Sequence, residues 1–350
     1  MSKKVYVGLS GGVDSSVSAA LLVRQGYDVV GIYMKNWSQD LPGMKCPWAE
    51  DLADAKRVAT RLGIDFKVFD FENEYKHRVV DYMVHEYEAG RTPNPDIMCN
   101  QEVKFKLFLE AALEDGADMI ATGHYAQINE KISKKKNFEL LKAKDRDKDQ
   151  TYFLYRINEQ ALAKTLFPIG HLLKSEVREL ARGLNLQTAT KKDSQGICFV
   201  GSVGIRDFIS EFVETKLGEI IEKETGRMLG LHDGAIFYTF GQRHGLDVGG
   251  GLPYYVVGKD MARNKVYVST NLNNDSFWQK EIKLSHLHWI NNIPQPDEIY
   301  QVRVRHRAAL IDATFDGETV GLAAPERAVA PGQSVVFYND EVCLGGGIVV

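Results

Sequence analysis

Apolar positions along this chain follow two rhythms, and the rhythm changes partway through. Val5, Val7 and Leu9 alternate with smaller or polar residues, which predicts a short strand. From Val13 the spacing lengthens: Val13, Val17, Ala20 and Leu21 fall on one face of a helix. Residues 27–33 are mostly apolar, as in a parallel strand buried on both faces. Leu52, Ala55, Val58, Ala59 and Leu62 predict a helix over 49–62 that Gly63 stops. A third strand is predicted over 66–71, helices over 74–88 and 103–113, and a fourth strand over 118–122. Pro93 and Pro95 predict an irregular loop over 90–96. Strands alternating with helices make a parallel sheet covered on both faces, with ligands at the carboxyl ends of its strands. The loops after Leu9, Tyr33 and Thr122 are therefore expected to meet.

Residues 152–184 read as mostly helical, 188–200 as loop and strand, and 203–213 as another helix. After Leu217 the texture becomes short β-rich runs between turns such as His232-Asp233-Gly234 and Gly249-Gly250-Gly251. Strand-like runs at 301–307, 319–323, 334–338 and 345–350 predict a small β-barrel. The fold class is thus α/β. A Rossmann-like parallel sheet over 1–203 is followed by a small β-rich domain over 204–275 and a C-terminal β-barrel over 276–350.

Composition narrows the class. With 44% hydrophobic and 26% charged residues in 350, the chain has an ordinary globular balance. No apolar run approaches the ~18 residues of a membrane span, so no membrane association is expected. The first strand begins within four residues of Met1, which leaves no room for a leader peptide. Cys46, Cys99, Cys198 and Cys343 form no Cys-x-x-Cys pair. They read as reduced thiols in a cytoplasmic protein rather than as a disulfide framework. The net charge of −4 means that a nucleic-acid partner has to be met by local basic patches. One candidate is 131–148, with eight basic and three acidic residues; its bland reading is a solvated hairpin. Another is Arg303-Val304-Arg305-His306-Arg307, whose three arginines share a face if the run is a strand.

Ser10-Gly11-Gly12 joins the first strand to the first helix. Glycines there let backbone N–H groups approach a ligand, and the unpartnered first amides of the helix favour an anion. The loop lacks the lysine of a Walker A loop. Ser-Gly-Gly-x-Asp-Ser resembles instead the PP-loop of ATP pyrophosphatases, which implies cleavage of ATP between the α and β phosphates and adenylation of a carbonyl-type oxygen. Asp14 is a candidate Mg²⁺ ligand or, alternatively, a first-turn acid favoured by the helix dipole. Cys99 follows the stiff loop at the start of a helix with Lys104 nearby, a setting that lowers a thiol pKa. Taken alone it reads sooner as a small buried hydrophobe. Cys198 lies beside Gly196, with Lys191 and Lys192 upstream to stabilise a thiolate or bind phosphate. Cys46 and Cys343 read as structural thiols. Trp37, Trp48 and Tyr125 are candidates for stacking on bases or for packing.

Several segments in order resemble bacterial tRNA-specific 2-thiouridylases, the MnmA/TrmU family of the PP-loop superfamily. They are Gly8-Leu9-Ser10-Gly11-Gly12-Val13-Asp14-Ser15-Ser16, Met34-Lys35-Asn36-Trp37, Thr92-Pro93-Asn94-Pro95-Asp96-Ile97-Met98-Cys99-Asn100, Ala121-Thr122-Gly123-His124-Tyr125-Ala126, Lys148-Asp149-Gln150, Asp193-Ser194-Gln195-Gly196-Ile197-Cys198-Phe199 and Tyr238-Thr239-Phe240-Gly241-Gln242-Arg243. The resemblance spans the chain and is weakest beyond about residue 275. It implies an adenine nucleotide alpha hydrolase-like N-terminal fold and 2-thiolation of the wobble uridine in tRNAs for Lys, Glu and Gln. It assigns Gly8, Leu9, Ser10, Gly11, Gly12, Val13, Asp14, Ser15, Met34 and Gly123 to ATP, and Asn94, Pro95 and Asp96 to the target base. Lys148, Asp149, Gln150, Arg305 and His306 would touch tRNA at its anticodon stem-loop. Cys99 would be the nucleophile and Cys198 the persulfide carrier, loaded by a cysteine desulfurase or a sulfur-relay protein. Asp96 would act as acid or base, or would only cap the helix of Cys99. ATP, Mg²⁺ and persulfide sulfur are the implied cofactors.

Other readings compete. A PP-loop ligase or amidotransferase acting on a small molecule would keep the loop but needs no paired thiols. A non-catalytic RNA-binding module would not need a complete loop. An iron–sulfur tRNA thiolase usually shows closely spaced cysteines, absent here, although Asp96, Cys99 and Cys198 would make a three-ligand site if they converged.

Overall fold

A computed structural model of the chain describes residues 2–40, 46–132, 136–192, 204–249, 251, 253–273 and 277–350. The alternation at the start of the chain decides which face each side chain serves. In β1 (Lys4–Gly8), Val5 and Val7 point to one side of the sheet and Tyr6 to the other. β2 (Asp28–Lys35), β3 (Asp65–Asp70) and β4 (Met119–Ala121) pair in parallel with it in the order β3-β2-β1-β4, and Thr165–Leu166 adds a short parallel edge beyond β4. Val5, Val7, Val29 and Tyr33 pack under α1 (Val13–Arg24) and α2 (Trp48–Leu62). Tyr6, Val30, Ile32 and Met34 face the opposite way, against the helical runs 72–88 and 95–114. Gly63 ends α2 in the left-handed conformation, φ 66°, that a residue without Cβ adopts at no steric cost.

The second helical run starts earlier than its prolines suggested. Pro95 is its first helical residue, where a missing N–H costs nothing, and the Asn94 side chain caps it by accepting from the Asp96 N–H at 3.1 Å. The irregular loop therefore ends at Asn94. The helix runs on to Glu114, with a wider π-helical stretch over Cys99–Leu107. Residues 152–184 are less helical than predicted: two single turns (Thr151–Leu154 and Glu159–Leu162) precede the edge strand, and only Lys174–Gly183 is a full helix.

The β-rich remainder forms two further sheets. Met228–His232, Gly218–Glu222, Lys265–Ser269 and Tyr255–Asp260 make a four-stranded sheet with Gly218–Glu222 and Lys265–Ser269 at its centre. Trp278–Trp289, Thr319–Arg327, Ile311–Phe315, Tyr300–Arg303, Ser334–Asn339 and Val342–Val349 pair in that order, and the last returns to the first, closing a barrel. Trp289, Phe315 and Phe337 meet edge-on inside it, ring centres 5.2–5.5 Å apart. The strand predicted over 301–307 stops at Arg303. The chain then turns, with Arg307 at φ 61°, so the three arginines do not share a strand face. A hairpin from the first domain, Gln127–Ile132 with Lys136–Leu141, continues the barrel sheet by pairing Leu140 and Leu141 with Cys343 and Val342. No helix among the described residues is long and apolar enough to cross a membrane.

Candidate active site

The loops after β1, β2 and β4 meet, as the parallel topology requires. A Cβ on Gly8 would lie 2.9 Å from the Met34 side chain, and one on Gly123 only 2.6 Å from the Ser15 backbone nitrogen. Gly11 is held at φ +74°, and a Cβ there would approach the Asp51 carbonyl of α2 at 2.6 Å. The turn therefore needs glycine both for its conformation and for its neighbours. Ser15 ties it together: its hydroxyl accepts from the Ser10 N–H at 3.2 Å and donates to the Gly12 carbonyl at 3.1 Å. Gly12 is the N-cap of α1 and supplies no side-chain cap. The first amides of α1 are thus left to a ligand, and the helix dipole favours an anion there.

Asp14 occupies the first turn of α1. Both of its carboxylate oxygens lie 2.8 Å from the Lys174 ammonium, and one also accepts from the Tyr125 hydroxyl at 2.9 Å. Tyr125 is buried and serves Asp14 rather than standing free to stack on a base. Sequence reading missed Lys174. It lies 160 residues from Asp14 and opens the helix Lys174–Gly183, the end where the helix dipole disfavours a cation. A lysine at that disfavoured position was the available signal that its charge is used elsewhere.

Cys99 is fully buried one turn beyond the Asn94 cap. Pro95 is buried, while Asn94 and Asp96 are half-buried. The loop leading into this helix is held by both downstream domains. The Thr92 N–H donates to the Pro331 carbonyl at 2.8 Å, Gln333 donates to the Thr92 carbonyl at 2.6 Å, and the Thr92 and Thr239 hydroxyls lie 3.1 Å apart. The motif that begins at Tyr238 is thereby placed against the entrance to the Cys99 helix. Farther along, Lys104 meets His124 Nε2 at 3.4 Å, and His124 Nδ1 meets the Thr122 hydroxyl at 2.7 Å. Burial, and then the Lys104 charge, hold His124 well below its ordinary pKa, so it is neutral. Its Nε2 then accepts from Lys104 and its Nδ1–H donates to Thr122.

Cys198 lies outside the described residues. Lys191, offered from the sequence as a thiolate or phosphate partner, is committed to α2: its ammonium lies 2.7 Å from Asp51 and 2.6 Å from Asp54, and the two hydrogen bonds raise its pKa against burial. Cys46 and Cys343 are buried, and burial pushes both thiols up, as inert structural cysteines require.

The basic stretches look different once partners are counted. Lys142 is buried, bonded to the Asp340 carbonyl at 2.6 Å over the Tyr338 ring. Lys144 pairs with Glu176 and Arg146 with Glu341. Asp149 is only 2% exposed; it accepts from the Ala143 N–H and the Thr151 hydroxyl, and Arg303 lies 3.4 Å away. The structure thus makes Asp149 a bridge between the first domain and the barrel, not a surface group facing a polynucleotide. Gln150 accepts from the Tyr125 N–H at 2.9 Å. Lys148 is half-buried beside it, with its N–H directed at Asp145. Arg305 pairs with Glu326 at 3.1 Å, and His306 stacks 4.4 Å from the Phe153 ring. Burial and the neighbouring Arg307 and Arg303 lower His306 to about 4.

A glycine loop feeding a helix N-terminus at the carboxyl edge of a parallel sheet, with two β-domains closing on that edge, defines a PP-loop nucleotide-binding enzyme of the α/β class. Family models described as tRNA methyl transferase HUP domain, tRNA methyl transferase PRC-barrel domain and Aminomethyltransferase beta-barrel domain match residues 3–202, 206–270 and 279–349. The tRNA-specific 2-thiouridylase MnmA of Methylobacillus flagellatus is 47% identical over 100% of this chain and 99% of its own. Proteins of the same description from Geobacillus kaustophilus and Alkaliphilus oremlandii are each 45% identical over 99% of this chain, covering 94% and 96% of theirs. The chain belongs to the tRNA-specific 2-thiouridylase family. A solved 4-thiouridine synthetase–RNA complex with bound ATP aligns with 60% of this chain and 50% of its own at 17% identity and TM-score 0.38, too loose a likeness to carry an argument.

Proposed function

We propose that this protein is an ATP-dependent sulfurtransferase that replaces the C2 oxygen of the wobble uridine in tRNAs for Lys, Glu and Gln with sulfur, releasing AMP and pyrophosphate. The observation that carries the proposal is the connection between the phosphate loop and a buried thiol. Gly123 presses on Ser15 of the loop, and the next residue, His124, is bonded to Lys104 of the helix that bears Cys99. Activation and attack would then share one edge of the sheet. The matching family models carry the description methyl transferase, but methyl transfer to a base needs no oxygen turned into a leaving group, which is what a PP-loop supplies.

Uracil C2 is a poor electrophile and its oxygen a poor leaving group; adenylation of O2 remedies both. Residues 8–15 hold the phosphates, Met34 and Gly123 flank the nucleotide, and Lys174 adds positive charge at the same edge. Asp14 would hold Mg²⁺, which would screen the triphosphate and stabilise departing pyrophosphate. The donor set fits. Mg²⁺ is commonly held by one or two carboxylates together with substrate phosphates. Among the described residues no group of three or more His, Cys, Asp or Glu forms a dedicated cage.

Cys198, loaded as a persulfide by a desulfurase or relay protein, offers its terminal sulfur to C2, and the C2–O2 bond breaks with AMP as leaving group. The Cys99 thiolate then attacks the inner sulfur of Cys198. The bond to the transferred sulfur breaks, the sulfur stays on C2, and a Cys99–Cys198 disulfide remains for an external thiol reductant. Asn94, Pro95 and Asp96 would line the splayed-out base, with Asp96 as acid or base. Catalysis belongs to 1–203; Lys148 and Gln150 of that domain and Arg305 and His306 of the barrel, 276–350, would steer the anticodon stem-loop, in the cytoplasm.

Incubation with ATP, a sulfide source and unmodified tRNA-Lys, followed by nucleoside analysis, tests the reading. The expected product is 2-thiouridine, lost in Cys99→Ser and Cys198→Ser when a desulfurase supplies the sulfur. No 2-thiouridine from the wild type, a methylated nucleoside in its place, or undiminished product from both variants would overturn it.

A further inference from the structure

We infer that Asn100 is the residue that selects uridine over cytidine, its side-chain carbonyl accepting the N3–H of the target base. The inference rests on the reading of the site as one that acts on a tRNA pyrimidine. Asn100 follows Cys99 directly and is 3% exposed. Its Nδ2 donates to the Phe153 carbonyl at 3.0 Å, whereas its Oδ1 is buried and has no hydrogen-bond partner among the described residues. The orientation of the amide follows from chemistry. A backbone carbonyl can only accept, so the NH₂ group must face Phe153 and the oxygen must face the other way. A buried acceptor left without a donor is uncommon in native structures and calls for one from outside the described residues.

Uracil presents one ring donor, N3–H, directly beside C2, the atom that the neighbouring thiol chemistry concerns. Cytosine has a bare acceptor nitrogen at that position. Set against Asn100 Oδ1, uridine completes a hydrogen bond while cytidine opposes two lone pairs, and a site built around a hydrogen bond rejects the analogue that cannot make it. The anchor of the amide is well placed for this task. Phe153 stacks on His306 of the barrel, so the same residue that orients Asn100 touches a segment proposed to meet tRNA. Asn100 also stands at the start of the π-helical stretch, a helical irregularity frequent at functional sites.

The test is the affinity of the full-length protein for two anticodon stem-loops that differ only in wobble uridine against wobble cytidine, measured with ATP present. Wild type is expected to favour uridine by about tenfold or more, and Asn100→Ala to bring the two within about twofold while ATP affinity stays unchanged. Asn100→Asp keeps an acceptor oxygen but loses the donor to Phe153, and is expected to retain the uridine preference. Should the alanine variant melt early, Asn100→Ser, which withdraws the oxygen and stays polar, takes its place. Equal binding of both stem-loops by wild type, or an unchanged preference in Asn100→Ala or Asn100→Ser, overturns the inference and leaves the carbonyl to a buried water. Loss of preference in Asn100→Asp as well overturns it in favour of the Phe153 tether. A wild type that makes 2-thiouridine while failing these comparisons leaves the proposed function standing; one that makes none removes its ground.

Discussion

The phosphate loop and the face between the first domain and the barrel both carry short charged or polar motifs, yet they relate to the sequence in opposite ways. In the loop every property is local: Gly11 turns the chain, Ser15 braces it, and the first amides of α1 stay open. At the interdomain face the charges that looked like an RNA-binding run are met by partners from distant sequence. Asp340 and Glu341 reach back to Lys142 and Arg146, and Arg303 reaches back to Asp149. A count of lysines and arginines along a stretch thus describes a binding surface only after the chain's own carboxylates and carbonyls have been subtracted. Lys148 and Arg305 sit at the rim of that pairing, and Asp149 at its centre.

Breaking the centre should have the largest effect. Asp149→Ala removes the acceptor for the Ala143 N–H and the Thr151 hydroxyl and leaves Arg303, whose side chain is 14% exposed, without its carboxylate. Removing one partner of a buried pair costs about 3–5 kcal/mol, which calorimetry would register as a fall in the unfolding midpoint. Well below that midpoint, affinity for tRNA should stay within about twofold of wild type. A large loss of affinity in a fully folded variant would return Asp149 to the tRNA surface and erase the contrast with Lys148.

Lys174 tests the other region. Lys174→Ala withdraws from the β and γ phosphates of ATP a charge-assisted hydrogen bond worth about 1.5–3 kcal/mol. ATP affinity by equilibrium binding should therefore fall roughly 10- to 100-fold, and AMP affinity by much less, because the lysine serves the phosphate end. Equal losses for ATP and AMP would mean that Lys174 only holds Asp14 in place.

These two residues mark how far the sequence could be read. The parallel sheet, its strand ends and the glycine loop were legible because each rests on periodicity or on a contiguous motif. The start of the Cys99 helix is not legible from Pro95, which breaks a helix interior but, at the first helical position behind an Asn94 cap, starts one. The Lys174–Asp14 contact and the Asp149–Arg303 bridge were not legible, since each joins residues more than 150 positions apart. The strand through Arg307 failed because alternation over five residues does not reveal where a barrel strand must turn.

At the rim the effects are smaller and depend on salt. Lys148→Ala and Arg305→Ala should each weaken tRNA binding several-fold and lower the log–log salt slope by about 0.7–0.9, as loss of one phosphate contact does. A slope unchanged in both would place the tRNA backbone elsewhere and make Lys148 as structural as Lys142.

A further comparison separates rim from centre by pH. His306 stacks on Phe153, and burial together with the charges of Arg307 and Arg303 holds it at about 4 against an ordinary 6.5. The folded protein then binds fewer protons than the unfolded chain between these values, so stability rises with pH across that window. The contribution is fully present above about pH 6.5, declines as pH falls toward 4, and changes no further below it. His124, His232 and His288 are also lowered by burial and act in the same direction, so the wild-type slope alone does not isolate His306. The difference from His306→Phe, which keeps an aromatic ring against Phe153 and cannot titrate, does isolate it. Unfolding midpoints of the two proteins should run parallel above pH 6.5 and converge or cross below it, wild type falling faster by at most one proton's worth of slope. Parallel midpoints down to pH 4 would mean that His306 is solvated and titrates normally, which would move it from the buried side of the interdomain face to its exposed rim.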